Sequence, residues 1–352
     1  MYVYVYGHPR HLWTLHPSVA TLGIVRRIAS TAAVGLVILV AVVAGMTACA
    51  VRMPGRSYDQ PPPPLTDAEQ ATRDRLRGHV ERLATQIGER NWPHYDGLTG
   101  ARDYVAEQFR AAGYEATVRP YEHRGETFYN VEAVLPGRSP RVLVVGAHYD
   151  SVEGSPGAND NASGVAMLLE LARALRGTTP EATIRFVAFA NEEPPYFNTG
   201  EGMGSAEYAA ALRDAGDAPA AMLSIETVGF YSDAPGSQSY PPLVAGLYPD
   251  RGDFIGFVGD YQSRALVRAV TERFRAVATL PSEGAALPAG LPGVAWSDHR
   301  SFWEIGVPAL MVTDTAPFRD PHYHLSSDTA ERLDYERMAR LSSGLAHVVS
   351  GL

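Results

Sequence analysis

The sequence predicts an α/β fold with three layers, in which a mostly parallel, mixed central sheet lies between helices. Near-continuous apolar runs such as RVLVVGAHYD (141–150) are typical of strands that are buried on both faces. Amphipathic helical patterns such as GVAMLLELARALRG (164–177) separate these runs. A hydrophobic fraction of 45% and a length of 352 residues are enough to build a full core around such a sheet.

The predicted elements begin at Thr66 and alternate to the end of the chain. Thr66 is expected to cap the first helix, with Glu69 completing a capping box, and this helix ends near Gly88. A second helix ends at Gly113, since glycine commonly terminates helices. Strands are then predicted at 131–137, 141–150, 183–193, 221–229, 253–260 and 308–315, and helices at 164–177, 204–216, 263–278 and 335–349. Residues 231–252, rich in Pro, Gly, Ser and Tyr, are predicted to form a loop over one edge.

Charge and cysteine content exclude two classes of function. The formal net charge of −9 is opposite to what binding to nucleic acid requires, so no nucleic-acid partner is expected. The one cysteine, Cys49, cannot form an internal disulfide framework, and a cysteine-rich zinc site is excluded as well. The sequence gives no indication of an oligomeric state.

Residues 1–49 are predicted to be a signal or a membrane anchor. An Arg-Arg pair precedes an apolar segment without charged residues (28–51), and small residues stand directly before Cys49. The box MTAC (46–49) resembles a bacterial lipoprotein cleavage site, at which Cys49 would become lipidated. An ordinary signal and an uncleaved anchor are the alternatives, because about 20 apolar residues span a bilayer. A buried core helix is the remaining interpretation.

The signal and anchor interpretations all place the body of the protein outside the cytoplasm. We therefore expect an exported, extracytoplasmic protein, held at a membrane through lipidated Cys49 or the apolar segment 28–51. Residues 50–65 contain four consecutive prolines and are predicted to be an extended tether, since proline favours polyproline II over packing. The catalytic domain would then occupy residues 66–352.

Histidine and carboxylate side chains recur where the predicted strands end. They are His148 and Asp150, Glu192 and Glu193, Glu226, and His322 and His324. Because the carboxyl ends of parallel strands meet at one edge of a sheet, we expect these side chains to lie together. Imidazole and carboxylate ligands without cysteine suit zinc in a catalytic, open site. Asp160, in a Gly-rich bend before a helix, is well placed to bridge two metal ions.

Two local patterns indicate which residues would bind metal and which would act as the base or orient a ligand. Glu192 and Glu193 would repel each other if both were buried and ionised. A metal that binds one of them leaves the other as a base beside the bound water. His148 and Asp150 face the same side of a strand, so Asp150 can accept a hydrogen bond from the imidazole and fix its tautomer.

Six motifs occur in an order that resembles a known family. They are HYD (148–150), GANDNASG (157–164), ANEE (190–193), SIETVG (224–229), SDHRSFW (297–303) and HYHLSSDT (322–329). Together they resemble the two-zinc leucyl-aminopeptidase-like metallopeptidases, whose relatives include glutamate carboxypeptidase and glutaminyl cyclase. The resemblance covers residues 70–350 and implies the three-layer fold of the zinc exopeptidases.

The resemblance implies two zinc ions per chain and a role for each matching residue. The implied ligands are the bridging Asp160, His148 and Glu226 on one ion, and Glu193 and His324 on the other. Glu192 would be the general base, and Asp150, which orients His148, would share the catalytic role. The family often has Asp at position 226, so Glu226 is a departure that can still supply an oxygen ligand. A cis peptide bond after Asp160 is also implied.

Other candidates lie near these ligands in the sequence. Asp298 either supports the site or caps the short helix that follows it. Tyr196 and Phe197, in the loop directly after the Glu-Glu pair, are the predicted wall of the substrate pocket. His322 is expected to be a neighbour of the ligands and not a ligand itself.

The resemblance implies a zinc-dependent exopeptidase, and the leading hypothesis is an aminopeptidase that hydrolyses N-terminal residues from peptides. A metal-activated water would attack the carbonyl group, with Glu192 as general base. The alternatives are a glutaminyl cyclase-like acyltransferase and a carboxypeptidase or amidohydrolase of the same family. A non-catalytic, receptor-like domain is disfavoured, because every ligand and the base are retained.

Overall fold

The computed structural model describes residues 52–352 and, ahead of them, Gly35 alone. The predicted signal or anchor with Cys49, and the apolar segment 28–51 apart from Gly35, lie outside the described residues and remain predictions. Residues from 52 onward belong to one compact unit. In this part of the chain no helix is both long and apolar enough to cross a bilayer.

Residues 52–352 form seven α-helices and eight strands. The helices are α1 (Asp67–Val80), α2 (Tyr95–Ala111), α3 (Gly164–Leu175), α4 (Gly204–Asp214), α5 (Arg264–Val277), α6 (His299–Glu304) and α7 (Tyr335–Gly351). The strands are β1 (Ala116–His123), β2 (Glu126–Leu135), β3 (Val142–His148), β4 (Thr183–Phe189), β5 (Ala221–Glu226), β6 (Ile255–Gly259), β7 (Ser282–Ala286) and β8 (Ala309–Thr313).

The strands form one mixed sheet in the order β1-β2-β4-β3-β5-β8-β6-β7. The pairs β3–β4, β3–β5, β5–β8 and β6–β7 are parallel, whereas β1–β2, β2–β4 and β6–β8 are antiparallel. Helices α2, α3, α5 and α7 share the larger hydrophobic core on one face, and α4 and α6 pack on the other. The predicted three-layer α/β sandwich with a mostly parallel, mixed sheet is confirmed.

The first helix begins as its capping pattern predicts. The Glu69 backbone N–H donates to Thr66 Oγ1 at 3.2 Å, and the Thr66 N–H donates to the Glu69 carboxylate at 2.9 Å. Beyond α1 the chain continues in a wider π-type turn (Glu81–Ile87) as far as Gly88. The capping box therefore satisfies two backbone donors that a helix start leaves free.

The sheet differs from the prediction in three strands. Strands β1 and β7 were not predicted, and β2 begins at Glu126, ahead of the predicted residue 131. The loop 231–252 has no helix or strand, and its ends meet in one bridge between Ser232 and Gly252. Strand β7 is one edge of the sheet and β1 is the other, so the sequence indicated neither edge strand.

Residues 52–65, which we call the strap, pack along this edge. The segment has no helix or strand, but it is not separate from the domain as a free tether would be. The Ser282 N–H of β7 donates to Ser57 Oγ at 2.9 Å, and Arg275 of α5 donates to the Pro54 carbonyl at 3.2 Å. Proline removes backbone donors but leaves carbonyl groups, and these carbonyls accept from the domain.

Candidate metal centre

The predicted ligands and the predicted base lie at the edge of the sheet where the parallel strands end. They are His148 and Glu226 at the ends of β3 and β5, Glu192 and Glu193 after β4, Asp160 before α3, and His324 after β8. Parallel strands deliver their following loops to one side of a sheet, which explains how residues far apart in sequence converge. Helix α3 is buried along most of its length, and it fixes the end of the loop that carries Asp160.

Five of these side chains form two groups that share Asp160. In the first group, His148 Nε2 lies 3.3 Å from Asp160 Oδ1 and 3.1 Å from Glu226 Oε2. In the second group, His324 Nε2 lies 3.0 Å from Asp160 Oδ2 and 3.4 Å from Glu193 Oε2. Asp160 therefore presents one carboxylate oxygen to each group, as a bridging ligand does.

The surroundings of the two groups fit metal ions. Both ring nitrogens of His148 and Oδ1 of Asp160 are buried without a hydrogen-bond partner. Asp160, Glu193 and Glu226 are all buried, and carboxylates buried so close together cost free energy unless cations compensate them. Nitrogen and oxygen donors without sulfur are a ligand set of catalytic zinc. The donor set thus fits zinc, with Asp160 between two positions.

Burial and crowding change the protonation of the carboxylates. Burial raises the pKa of Glu192 well above its ordinary value, and the nearby Glu226 adds to the effect. Burial, together with the Asp160 charge, raises the pKa of Glu193 in the same way. Burial also opposes ionisation of Asp160, but its contacts with the two histidines outweigh burial and lower its pKa. The centre therefore concentrates negative charge that positive charge would stabilise.

Glu192 lies beside the first group and belongs to neither. Its Oε2 is 4.0 Å from His148 Nε2. The backbone N–H groups of Glu192 and Glu193 donate to the two oxygens of Asp150 at 3.1 and 3.0 Å. Asp150 Oδ1 also faces His148 Nδ1, but at 3.4 Å this contact is longer than a normal hydrogen bond. Asp150 thus holds the backbone of the Glu-Glu pair in addition to facing the imidazole.

Asp328 holds the loop that carries Asp160, a role that sequence reasoning missed. Its Oδ1 accepts from the Asn159 N–H at 2.8 Å, and its Oδ2 accepts from the Asp160 N–H at 3.1 Å. The peptide bond between Asp160 and Asn161 is cis, as the resemblance implied. The motif HYHLSSDT contains Asp328, so a signal was present, but its partner lies 168 residues earlier.

Arg90 was also missed, and no pattern in the sequence could have identified it. The residue is fully buried, and its guanidinium donates to five backbone carbonyl groups, two of which are those of Leu83 and Gly88. The other three acceptors are Tyr149 at 2.9 Å, Pro156 at 2.6 Å and Gly157 at 2.9 Å. These bonds hold both ends of the loop between the first ligand and the shared carboxylate.

Asp298 lies close to the centre and does not cap a helix. Its carboxylate makes no capping hydrogen bond to α6, so the helix-cap alternative is wrong. Both of its oxygens are buried without a partner, and burial raises the pKa of Asp298 to about 7 against the opposing effect of His148. The preceding residue, Ser297, donates from Oγ to Glu226 Oε2 at 2.8 Å. Ser297 therefore contacts a predicted ligand directly, which the sequence did not indicate.

A cavity of about 100 Å³ opens beside Glu226. It lies over strands β8, β6 and β7, where loops cover the sheet. Aromatic side chains are prominent in its walls, among them Tyr240, Tyr248, Trp296 and Phe318. A cavity that adjoins the ligands at one end is the natural place for a substrate side chain.

The wall of this cavity is not the predicted one. Tyr196 packs in the core against Phe128, with ring centroids 5.6 Å apart, and against His123 at 5.5 Å. Neither Tyr196 nor Phe197 lines the cavity beside the ligands. The prediction relied on nearness in sequence to the Glu-Glu pair, whereas the cavity is formed by loops from the other end of the sheet.

His322 lies outside both groups of ligands. Its Nδ1 contacts Ser327 Oγ at 2.9 Å, and Phe230 packs edge-on against its ring. His324, two residues later, has a left-handed backbone with φ of 61° and directs its imidazole to Asp160 and Glu193. Side chains two residues apart thus take different directions in this loop.

Proteins of similar sequence include a leucine aminopeptidase. The Escherichia coli (strain K12) protein YfbL is 39% identical over 285 residues, which cover 78% of this chain and 87% of YfbL. Leucine aminopeptidase 1 of Arthroderma otae is 30% identical over 241 residues, which cover 64% of this chain and 58% of that protein. The chain therefore spans less than two thirds of this aminopeptidase.

Solved structures share the fold at low sequence identity. LapB from Legionella pneumophila has a TM-score of 0.63 at 20% identity, over 84% of this chain and 78% of LapB. The zinc aminopeptidase BSAP from Bacillus subtilis has a TM-score of 0.60 at 15% identity, over 79% and 94%. Tannerella forsythia glutaminyl cyclase has a TM-score of 0.57 at 19% identity, over 80% and 98%. Aminopeptidases and cyclases thus share this α/β fold.

Family membership rests on the catalytic part of the chain. Residues 130–349 match Peptidase family M28, and this range includes every predicted ligand from His148 to His324. The match covers all strands from β3 onward and the loops that form the two groups. Together with the identity to YfbL, it shows that the chain belongs to Peptidase family M28.

Proposed function

We propose that this peptidase is a zinc-dependent aminopeptidase, which hydrolyses the first peptide bond of substrates with a free amino terminus. The proposal rests mainly on the shared carboxylate of Asp160, whose two oxygens face two groups of ligands at 3.3 and 3.0 Å. Similarity to proteins named leucine aminopeptidase supports this choice of reaction.

The proposed ligands are those of the two groups. Asp160 would lie between two zinc ions, with His148 and Glu226 on one side and Glu193 and His324 on the other. When bound, such ions lower the pKa of water to about 7 and polarise a carbonyl group, which allows amide hydrolysis near neutral pH.

Glu192 is the proposed general base and general acid. Its carboxylate is buried and belongs to neither group of ligands, so it is free to carry a proton. In this role it would take a proton from the attacking water and return it to the leaving amine. The bond from its backbone N–H to Asp150 fixes the position from which the carboxylate acts.

The cavity beside Glu226 is the proposed site for the first side chain of the substrate. It adjoins the ligands at Glu226 and Tyr323 and extends away from them over β6 and β7. Such a cavity recognises one residue next to the scissile bond, which suits an exopeptidase. We expect peptides to be the substrates for this reason.

The test uses the zinc-loaded protein and the variant Glu192→Gln. We expect two zinc ions per chain and hydrolysis of aminoacyl p-nitroanilides that a chelator abolishes. Because Glu192 would move a proton and would not hold metal, Glu192→Gln should keep its zinc and its fold while kcat falls about 10²–10⁴-fold. Glu153→Gln changes an exposed carboxylate in the loop before Asp160 and should retain full activity.

Three outcomes would contradict the proposal. One zinc per chain with ammonia release from an N-terminal glutaminyl peptide would indicate a glutaminyl cyclase. Release of residues from the carboxyl end of peptides, with aminoacyl amides left intact, would indicate a carboxypeptidase. A folded, zinc-loaded protein that processes none of these substrates would remove the enzymatic proposal.

A further inference from the structure

The floor of the cavity is a row of directly paired residues on four neighbouring strands. Glu226 of β5 pairs with Thr313 of β8, Thr313 pairs with Gly256 of β6, and Gly256 pairs with Glu283 of β7. Neighbouring strands lie about 4.8 Å apart, so Glu283 is about 14 Å from Glu226 across the sheet. Residues that pair directly point to the same face, and all four line the cavity.

Gly256 keeps the middle of this floor open. A Cβ atom at this position would stand between Thr313 and Glu283, with the Thr313 carbonyl oxygen 3.2 Å away as its nearest neighbour. A second row, Met311, Val258 and Ala285, completes the floor with apolar groups. The cavity, which we call the channel, therefore has a proposed ligand in its lining at one end and a carboxylate at the other.

The channel has apolar walls and acidic ends. Its walls include Val244 and Leu291 in addition to the aromatic side chains already named. Glu226 and Glu283 are the acidic residues that line it, and none of the described lining residues is an arginine or a histidine. A channel of this kind repels a small anion and favours a long apolar group that ends in a positive charge.

Arg275 contacts one oxygen of the Glu283 carboxylate, which leaves this carboxylate able to accept further hydrogen bonds. Its one ion-pair partner among the described residues is Arg275, whose Nη2 lies 3.3 Å from Glu283 Oε2, which is long for a charge-assisted hydrogen bond. The same Nη2 donates at 2.6 Å to the Ser282 carbonyl, and Nη1 donates at 3.2 Å to Pro54. Arg275 is thus engaged mainly by the strap and β7, and it does not line the channel.

We propose that Glu283 is a specificity-determining residue, and that the channel selects substrates whose first residue is arginine or lysine. The inference rests on the proposed aminopeptidase function and names its substrate class. The stems of these side chains would lie along the apolar walls while the charged head reaches Glu283. Guanidinium groups also stack well on aromatic rings, which the walls supply at Tyr240, Tyr248 and Trp296.

Shorter apolar side chains fit the channel less well at its far end. A leucine side chain would bury the walls near Glu226 but leave Glu283 without a new partner. The Glu283 side chain is 23% exposed, and a partly buried polar group still discriminates against analogues that cannot bond to it. We therefore expect amides of leucine to be cleaved, but with lower kcat/KM than amides of arginine.

The decisive comparison is between amides of arginine and citrulline, which have nearly the same shape but differ in charge. In the zinc-loaded protein we expect kcat/KM to be about tenfold or more higher for arginine. Glu283→Gln should bring the two values close together and leave the leucine amide nearly unchanged. The matched control is Asp253→Asn, because Asp253 lies in the neighbouring groove with Glu283 but does not line the channel. This control should keep the arginine preference.

The preference for arginine can also be measured as binding affinity, without hydrolysis of the amide. Calorimetry with the zinc-loaded Glu192→Gln variant should detect arginine amide binding about tenfold or more tighter than citrulline amide. The double variant Glu192→Gln with Glu283→Gln should lose that difference. Gly256→Ala is a second test, since its methyl group narrows the floor and should reduce cleavage of arginine amides more than of alanine amides.

The failure of this inference is distinguishable from failure of the proposed function. Equal rates for arginine and citrulline, or a preference that survives Glu283→Gln, would overturn the inference while cleavage of any aminoacyl amide upholds the aminopeptidase. Absence of cleavage for every amide, with zinc bound, would overturn the proposed function. In that case equal binding of the two amides to the Glu192→Gln variant would overturn the inference independently.

Discussion

At the scale of single residues, the proposed ligands depend on neighbours that bind no metal. Asp328 fixes the backbone of Asp160 through a hydrogen bond of 3.1 Å. Ser297 donates to the same Glu226 oxygen that faces His148. Hydrogen bonds from such neighbours orient ligands before the metal arrives, and their loss weakens metal binding even though the ligand itself remains.

Ser297→Ala tests this dependence at Glu226. Removing the Oγ leaves the longer Glu226 side chain free to rotate, so we expect zinc affinity at the first group to fall about 10–100-fold. Chelator-competition titration of zinc would measure the change. Ser301→Ala is the matched control, because Ser301 bonds to Ser205 and contacts no proposed ligand. Equal zinc affinity in Ser297→Ala and the wild type would show that Ser297 has no such role.

At the scale of elements, Glu170 joins helices α1 and α3. The carboxylate is 1% exposed and accepts from Arg75 on α1 at 2.9 Å and from Arg173 at 3.0 Å. His79 of α1 lies 3.5 Å away. Burial alone would raise the pKa of Glu170, but its contacts with His79, Arg75 and Arg173 outweigh burial and lower this pKa to about 2. The ionised carboxylate therefore stabilises the contact between these helices.

The lowered pKa predicts how the stability of the domain depends on pH. The folded protein binds this proton less readily than the unfolded chain, whose pKa is near 4.5, so the stabilisation is complete above that pH and is lost as pH falls toward 2. Glu170→Gln should lower the free energy of unfolding at pH 7 by about 1–3 kcal/mol and reduce its decline in this range.

Urea unfolding of the wild type and Glu170→Gln at several pH values measures this effect. Because both proteins share every other titrating group, the difference between them isolates Glu170. Glu107→Gln, an exposed change on α2, should follow the wild type at every pH. A constant difference between Glu170→Gln and the wild type from pH 7 to pH 3 would contradict the prediction.

The sequence predicted some strands and missed others, depending on whether the strand has an apolar run. Strands with apolar runs, and the ligands that follow them, were predictable because burial leaves a local pattern. Strand β7 (Ser282–Ala286) has no bulky β-forming residues, and strand β1 carries Arg119, Pro120 and Glu122 in place of an apolar run. The channel beside Glu226 was out of reach for the same reason, since it depends on pairing between β8, β6 and β7.

At the scale of the whole molecule, the strap links the start of the domain to its sheet edge. Met53 is 9% exposed and packs beside Gly284, where a Cβ would come within 2.6 Å of it. Arg340 of α7 donates to the Pro63 carbonyl. Edge strands expose unpaired backbone groups that promote aggregation, and the strap covers part of this edge at Ser282.

Removing the strap should therefore destabilise the domain. We expect a chain that begins at residue 66 to lose about 3–5 kcal/mol of unfolding free energy relative to one that begins at residue 52. The loss combines the burial of Met53 and Leu65 with several hydrogen bonds. Urea unfolding and light scattering would measure stability and aggregation. Identical unfolding curves for the two chains would show that the strap packs without contributing stability.

The ligands of the two groups lie far apart along the chain, and this distance determines when activity can arise. The first ligand is His148 and the last is His324, and strands from both halves of the sheet must pair before the two imidazoles can meet at Asp160. A chain still being synthesised, or one cleaved between these residues and separated, lacks one of the two groups. The proposed hydrolysis can therefore begin only when the domain is complete, and a partly synthesised chain is inactive.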